Sequence, residues 1–384
     1  MTKDEFETLL IRGAFETDPT TGALTPPIYQ TATYKQFELG VEQRFDYSRS
    51  ANPTRALLED RIALLEEGRY GYAFSSGMAA ITAVLCLFRS GDEILVPRDL
   101  YGGTLRLLDA HFKNFGMNWR AVDTTDPDSL GRAFSSSTRA IILESPTNPT
   151  LRVSDIAAVC EIARSRKVLS IVDNTFLTPY FQRPITMGAD IVIHSATKYL
   201  AGHNDVLAGL VVLNDETLAE QFLMIQKSTG GVLPPFDSYL LLRGMKTLAV
   251  RLDRESESAL AIAKWLLSRQ EATHVYYPGL ETDPGYAINS RQAGSAGGLL
   301  SFDLDEKHDI KKFTSSLELF TLAESLGSVE SMACHPATMS HASISAEMRE
   351  EMGISYRLIR LAVGLEGLPH LIRDLEKAFD ASKL

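Results

Sequence analysis

The sequence predicts an α/β protein, a mainly parallel sheet covered by helices on both faces and followed by a smaller α+β domain. Three observations carry this. Short β-branched runs alternate with helix-spaced segments from about residue 55 to 245, nearly every run ends in small or polar residues, and beyond about residue 246 the helices lengthen. In chain order, residues 1–50 (TDPTTGALTPPIYQTATY among them) carry turn residues with little periodicity and read as an irregular arm. ALLEDRIALLEE and MAAITAVLCLF have helical spacing. YGYAF, EILVP, AIILES, LSIVDN and DIVIHS read as strands, and IAAVCEIARSRK is a helix between two of them. Strand, helix, strand repeated in this way implies crossovers that cover both sheet faces. Amphipathic spacing over 256–267 and in LPHLIRDLEKAFDASKL, with the strand-like GGLLSFDL between them, marks the second domain. The expected division is an arm (1–50), a large domain (51–245) and a small C-terminal domain (246–384).

Composition narrows the class. At 384 residues, 45% hydrophobic and 23% charged, the chain is long enough for a sizeable core without a disulfide or metal staple. A formal net charge of −11 argues against a nucleic-acid or anionic-membrane binder. Cys86, Cys160 and Cys334 form no C-x-x-C pair; Cys86 and Cys160 fall in apolar helical patterns and are expected in the core. An odd, scattered count fits a reducing compartment. MTKDEFETLLIRG lacks the apolar stretch of a signal peptide, and no window approaches the roughly 18 apolar residues of a membrane span. A cytoplasmic protein is expected.

In an open parallel sheet, ligands sit beyond the carboxyl ends of the strands. There the chain places SSGM, PRDLYGGT, ESPTNP, DNTF and HSATK. Taken singly, each has a plain structural explanation. Asp173 and the Ser75–Ser76–Gly77 run suit helix caps, Tyr101 suits packing on a turn, and Arg360 suits a solvated helix face. His203 has no partner at ligand spacing, so no metal site is expected. Neither G-x-G-x-x-G nor G-x-x-x-x-G-K-[ST] occurs. Together, however, they describe one ligand. A carboxylate at a strand end, a helix N-terminus for a phosphate, the hydroxyls of Ser195 and Thr197, and Lys198 beside them match pyridoxal 5′-phosphate. The carboxylate keeps the pyridine nitrogen protonated, the lysine bonds to the aldehyde, an aromatic face stacks on the ring, and an arginine grips the substrate carboxylate.

YSRSANPT, SSGMAA, DLYGGT, ESPTNP, VDNTF, HSATKYLAGHND, AESLGSVES and RLAVGLE occur in an order that resembles the pyridoxal-phosphate enzymes of Cys/Met metabolism, from about residue 8 to 380. The resemblance implies a fold type I (aspartate aminotransferase-like) protein with Lys198 as the covalent lysine and Asp173 as the partner of the pyridine nitrogen. It gives the phosphate to the Gly77 and Met78 N–H groups with Ser195 and Thr197, and ring stacking to Tyr101. Tyr101 is also an acid or base near the leaving thiol, its pKa lowered by the cationic cofactor site. Tyr47 and Arg49 resemble a pair that completes the phosphate site of a neighbouring subunit, which implies a homotetramer built as a dimer of dimers. Asn148 and Arg360, with Ser325 adjoining, resemble contacts to the carboxylate of a small amino-acid substrate.

Within the family, Gly103 stands where the methionine-cleaving members have cysteine. Glu324 stands where γ-synthases and γ-lyases also have glutamate. YSRSANPTR, DLYGGT and STGGVLPPFDSYLLLRGMKTL look most like bacterial cystathionine γ-lyases. The implied reaction is γ-elimination of L-cystathionine to cysteine, 2-oxobutanoate and ammonia, with side-activity on cysteine or homocysteine. γ-Synthase, β-lyase, aminotransferase chemistry and a silent cofactor-binding regulator are the alternatives. Tyr276 and His341 lie outside the motifs and read as packing or surface.

Overall fold

The computed structural model of the chain describes every residue except Glu16 and Ser343. α1 (Lys3–Arg12) and α2 (Pro53–Leu65) precede β1 (Tyr70–Phe74), α3 (Gly77–Leu85), β2 (Glu93–Pro97), α4 (Gly102–Ala110) and β3 (Asn118–Val122). Then come α5 (Pro127–Ala133), β4 (Thr138–Glu144), α6 (Ile156–Ser165), β5 (Leu169–Asp173), the single turn α7 (Thr178–Phe181), β6 (Ile191–Ser195) and β7 (Gly209–Leu213). α8 (Glu216–Thr229), α9 (Pro235–Met245) and α10 (Leu248–Leu267) lead into β8 (Ala272–Tyr276), α11 (Tyr286–Gln292) and β9 (Leu299–Leu304). The chain ends with α12 (Ile310–Ser316), β10 (Thr321–Leu322), β11 (Met332–Cys334), α13 (Ala346–Glu351), β12 (Leu358–Ala362) and α14 (Leu368–Ser382).

The larger sheet has seven strands in the order β1-β7-β6-β5-β4-β2-β3. From β3 across to β6 all neighbours are parallel, and β7 is antiparallel to both β6 and β1. Strand parity explains the two-sided core. Ala140 and Ile142 of β4, with Ile191 and Ile193 of β6, pack into one apolar layer against α3, α4 and α8. Ile141 and Leu143, with Val192, pack into the other against α2, α6 and α9. Successive side chains point to opposite faces, so strands covered on both sides read as continuous apolar runs. β3 escaped the sequence pattern because it is an edge strand with exposed Asn118, Arg120 and Ala121.

The second sheet runs β10-β11-β12-β9-β8. Its core joins Leu300, Phe302 and Leu304 to Ile262 and Leu266 of α10 and to Leu371, Leu375 and Phe379 of α14. The spacing of four residues on each helix is the apolar stripe that the amphipathic pattern predicts.

Two expectations are corrected. The first residues of the arm are helical: Thr2 and Glu5 form a reciprocal capping box, and α1 buries Phe6 and Leu10. That two-residue stripe is too short to stand out as periodicity. Cys86 is exposed, whereas Cys160 and Cys334 are buried. α3 stops at Leu85, so Cys86 is its C-cap and leaves the apolar face.

Asp374 of α14 is 3% exposed and accepts three backbone N–H groups, from Glu318 (2.8 Å), Leu319 (2.9 Å) and Phe320 (3.1 Å). Charge-assisted bonds to buried donors are costly to lose. Asp374→Ala should destabilise the protein by about 3 kcal/mol, read as a lower unfolding midpoint in urea; an unchanged midpoint would refute the tether.

Candidate active site

The site assembles where β4, β5 and β6 end. Asp173 closes β5, and its Oδ1 accepts Thr175 N at 3.0 Å and the Thr175 hydroxyl. Thr175 Oγ1 in turn accepts Ser195 N at 2.8 Å, which ties the end of β5 to the end of β6. Desolvation pushes the Asp173 carboxyl up, while Thr175, His194 and Lys198 pull it back. Both bonds fall on Oδ1, so Oδ2 is the oxygen left for a ligand.

α3 starts against this strand end. Ser76 caps it by accepting Ala79 N at 3.1 Å. The N–H groups of Gly77 and Met78, in the first turn, have no intrahelical acceptor. A Cβ on Gly77 would lie 2.8 Å from Ser195 Cβ and 2.9 Å from its Oγ, so only glycine lets the helix end come this close. Gly209 of β7 is under the same constraint, with Ser76 O 2.1 Å from its would-be Cβ. Thr197 Oγ1 bridges Ala208 O (3.3 Å) and Ala208 N (3.0 Å).

Lys198 is half-buried, and its Nζ makes no hydrogen bond or ion pair among the described residues. Desolvation, then the Arg360 guanidinium, lower its ammonium to about 8 against the pull of Asp173 and Glu324. The Tyr101 ring lies over Gly103, whose would-be Cβ is 2.4 Å from Tyr101 Cε1 and 3.1 Å from Met78 Sδ. Desolvation raises the Tyr101 phenol, Arg106 opposes it, and Glu144, Glu324 and Asp173 add to the rise. The protein's own groups therefore shift it upward.

Arg360 of β12 is 3% exposed. Its Nη1 donates to Asn148 Oδ1 at 2.7 Å and its Nη2 to Ser325 O at 2.7 Å. Ser325 holds φ at 89°, a left-handed conformation that a non-glycine residue adopts only under constraint. Arg360, Asn148 and Ser325 thus meet, and exposed Glu324 stands beside them. Tyr47 and Arg49 stay apart. Both are exposed on the arm, with the guanidinium 5.5 Å from the Tyr47 ring centroid and donating to Lys227 O.

The sequence reading passed over Glu144, although ESPTNP opens with it at the end of a parallel strand. Glu144 is 6% exposed and accepts Tyr101 N at 3.1 Å. Burial, then Asp173 and Asp99, push its carboxyl well up. His341 is buried beside the same region, pushed down to about 4 by burial and by Arg360. His203 bonds Ala201 O at 2.7 Å, and Tyr276 donates to Asp303 Oδ2 at 2.8 Å.

The donor set suits pyridoxal phosphate. Free helix N–H groups and the Ser195 hydroxyl match a phosphate, the open carboxylate oxygen matches a protonated ring nitrogen, and an unpartnered, partly desolvated amine matches an aldehyde.

The chain belongs to the Cys/Met metabolism PLP-dependent enzyme family, whose model matches residues 7–380. It is 50% identical to a cystathionine beta-lyase of Lactococcus lactis subsp. cremoris (strain MG1363) over 97% of this chain and 98% of that one. It is 47% identical to a cystathionine gamma-lyase of Bacillus subtilis (strain 168), over 97% and 99% of the two chains. The structure of a cystathionine gamma-lyase from Lactobacillus plantarum, complexed with L-serine, superposes with a TM-score of 0.96 at 46% identity, covering 98% of this chain and 99% of that one. The fold is type I, and the cofactor is pyridoxal phosphate.

Only a neutral amine attacks an aldehyde. Cofactor uptake by cofactor-free protein, followed by absorbance, should therefore quicken as pH rises and level off above about 8. A rate independent of pH between 6 and 9 would contradict the lowered Lys198 ammonium.

Proposed function

We propose that the protein cleaves L-cystathionine and water to cysteine, 2-oxobutanoate and ammonia by γ-elimination. The observation that carries this is the place of Glu324, exposed and next in the chain to the Ser325 that Arg360 holds, where its charge acts on both Tyr101 and Lys198. In that place it suits the distal ammonium of a long diamino acid substrate. Likeness to the B. subtilis and L. plantarum γ-lyases supports the reading.

The bound cofactor supplies an electron sink next to the substrate α-carbon. Arg360, held planar by Asn148 and Ser325, offers a charge-assisted grip on the α-carboxylate. Asp173, through the oxygen its own bonds leave free, would hold the protonated ring nitrogen of the cofactor, and the first turn of α3 would hold its phosphate. Lys198 Nζ, with its pKa near 8, takes the α-proton, passes it on and then removes a proton from Cβ, because expulsion of sulfur from Cγ needs the electron pair of that C–H bond. Tyr101 Oη, whose raised pKa keeps it protonated, delivers a proton to the departing sulfur. Gly103 leaves room for its ring.

The arm suits a shared site. Phe37 (87% exposed), Leu39 (96%) and Val41 (56%) form an apolar stretch next to Tyr47 and Arg49 that a second copy would cover. On this reading, two copies complete each other's phosphate sites and two such dimers make a tetramer.

Given L-cystathionine alone, the cofactor-loaded protein should release 2-oxobutanoate with cysteine, and Lys198→Ala should lose nearly all turnover. Pyruvate with homocysteine would make the protein a β-lyase, as the Lactococcus relatives are named. No keto acid, but product from an activated homoserine ester and cysteine, would make it a γ-synthase. Mixing Lys198→Ala with Arg49→Ala and letting subunits exchange should restore activity above either variant alone, since some sites would then carry both wild-type residues. No restoration would refute the shared site.

A further inference from the structure

α10 buries an acid that the chemistry above does not use. Glu255 is 0% exposed, and neither of its oxygens has a hydrogen-bond partner among the described residues. Tyr199 Oη, Ser258 Oγ and Arg360 Nε are buried and unpartnered in the same way. Glu255 and Tyr199 meet at Gly298, and Tyr199 packs on Gly327, two residues beyond the Ser325 whose carbonyl Arg360 holds. The point a Cβ on Gly298 would occupy is 3.0 Å from Glu255 Cβ and 3.4 Å from Tyr199 Oη. Ser258 sits one turn along α10 from Glu255. The Tyr199 phenol responds to Glu255 and to Arg360, and its ring is braced by Gly327, whose would-be Cβ lies 2.9 Å from Tyr199 Cγ. The Arg251 guanidinium is near, but it is committed to Tyr199 O (2.8 Å), Gly244 O (3.0 Å) and Thr247 Oγ1 (3.2 Å).

A carboxylate removed from water without a donor is far more costly than a neutral acid, so burial dictates the protonated form. Desolvation raises Glu255 to about 8, Arg251 opposes the rise and Glu366 adds to it. A neutral acid both donates and accepts, as a cluster of a phenol, a hydroxyl and a guanidinium N–H requires. Buried polar atoms left without protein partners are ordinarily bridged by internal water.

We infer that neutral Glu255, with Tyr199 and Ser258, forms a water-bridged cluster that fixes the Nε side of Arg360, which makes Glu255 a positioning residue for the substrate carboxylate. The inference rests on the carboxylate-binding role of Arg360. While Glu255 is neutral, the guanidinium charge stays available to the ligand. Once ionised, Glu255 could no longer donate, and the bridge through Tyr199 to the Nε side of Arg360 would be lost. The charged groups that act on Glu255 are Arg251 on its own helix and Glu366, while Tyr199 is acted on by Glu255, by Arg360 on β12 and by Tyr277.

The test uses the holoenzyme and glycine, which offers an α-amino and a carboxylate group but no leaving group, so its outcome does not depend on which lyase reaction the protein performs. Glycine affinity is read from the cofactor spectrum of wild type, Glu255→Gln and Glu255→Leu. Glu255→Gln should keep the wild-type dissociation constant at pH 7 and, unlike wild type, should not weaken above pH 8; Glu255→Leu should bind roughly tenfold more weakly at both. A second readout needs no ligand. An acid neutral when folded and ionised when unfolded loses stability as pH rises from its ordinary value toward its folded one, so Glu255→Gln should gain melting temperature over wild type between pH 5 and 8. Equal alkaline profiles in wild type and Glu255→Gln, a Gln variant as weak as Leu at pH 7, or a stability gain with no change in glycine binding would each overturn the proposal.

Discussion

Two cations in one desolvated space, the Lys198 amine and the Arg360 guanidinium, set the problem that the surrounding residues answer. Arg360 lowers the Lys198 ammonium after burial has done so, and among the described residues neither group is in an ion pair. Like charges at close range inside a protein are unfavourable unless anions join them. A phosphate at the first turn of α3 and a carboxylate on Arg360 would supply those anions. The same excess of positive charge therefore favours the ligands that suit the site.

The carboxyl groups show how the balance is kept. Asp173 and Glu144 end neighbouring parallel strands in register, and each raises the cost of ionising the other. Asp173 receives two hydrogen bonds on Oδ1 and is pulled down by His194 and Lys198, whereas Glu144 receives one from Tyr101 N. Of the two, Glu144 is therefore the harder to ionise. Behind Asp173, Asn174 donates to Glu66 Oε1 (2.9 Å) and Gln182 O (2.7 Å), and buried His194 meets the same Glu66 oxygen at 2.7 Å. That network fixes the strand end on the face away from the cofactor, so the acid is held by backbone as well as by its own bonds.

The large sheet was legible because parallel strands buried on both faces carry short continuous apolar runs, such as AIIL of β4, IV of β5 and IVI of β6. Asp173 was legible because an ionisable group ending such a run is out of keeping with its neighbours, and Lys198 because it follows β6 directly after two hydroxyl residues; Arg360 was legible through the motif RLAVGLE. Glu144 had the same signal as Asp173 and was passed over in favour of Asn148 in the same motif. β3 and α1 gave no signal, one being a solvated edge and the other burying only two residues. Glu255 could not be found from sequence at all: in RESESALAIAKWLL it looks like one of several charges on a helix, and only packing shows that Glu257 is exposed while Glu255 is sealed.

The part of the site that acts on the α-carbon is built on strand ends and a helix end, held by Gly77 and Gly209 at distances that admit no side chain. Relatives named for β-elimination, γ-elimination and γ-replacement can share it, because all three begin with loss of the same α-proton. Choice among them concerns atoms farther out, and there the chain uses different material: Tyr101 on a turn, Glu324 on a loop between two short strands, and the irregular stretch of the arm around Tyr47 and Arg49. Such segments tolerate substitution without disturbing the sheet. Reaction specificity can therefore change among proteins that remain half identical, while the lysine, the aspartate and the arginine stay where the fold puts them.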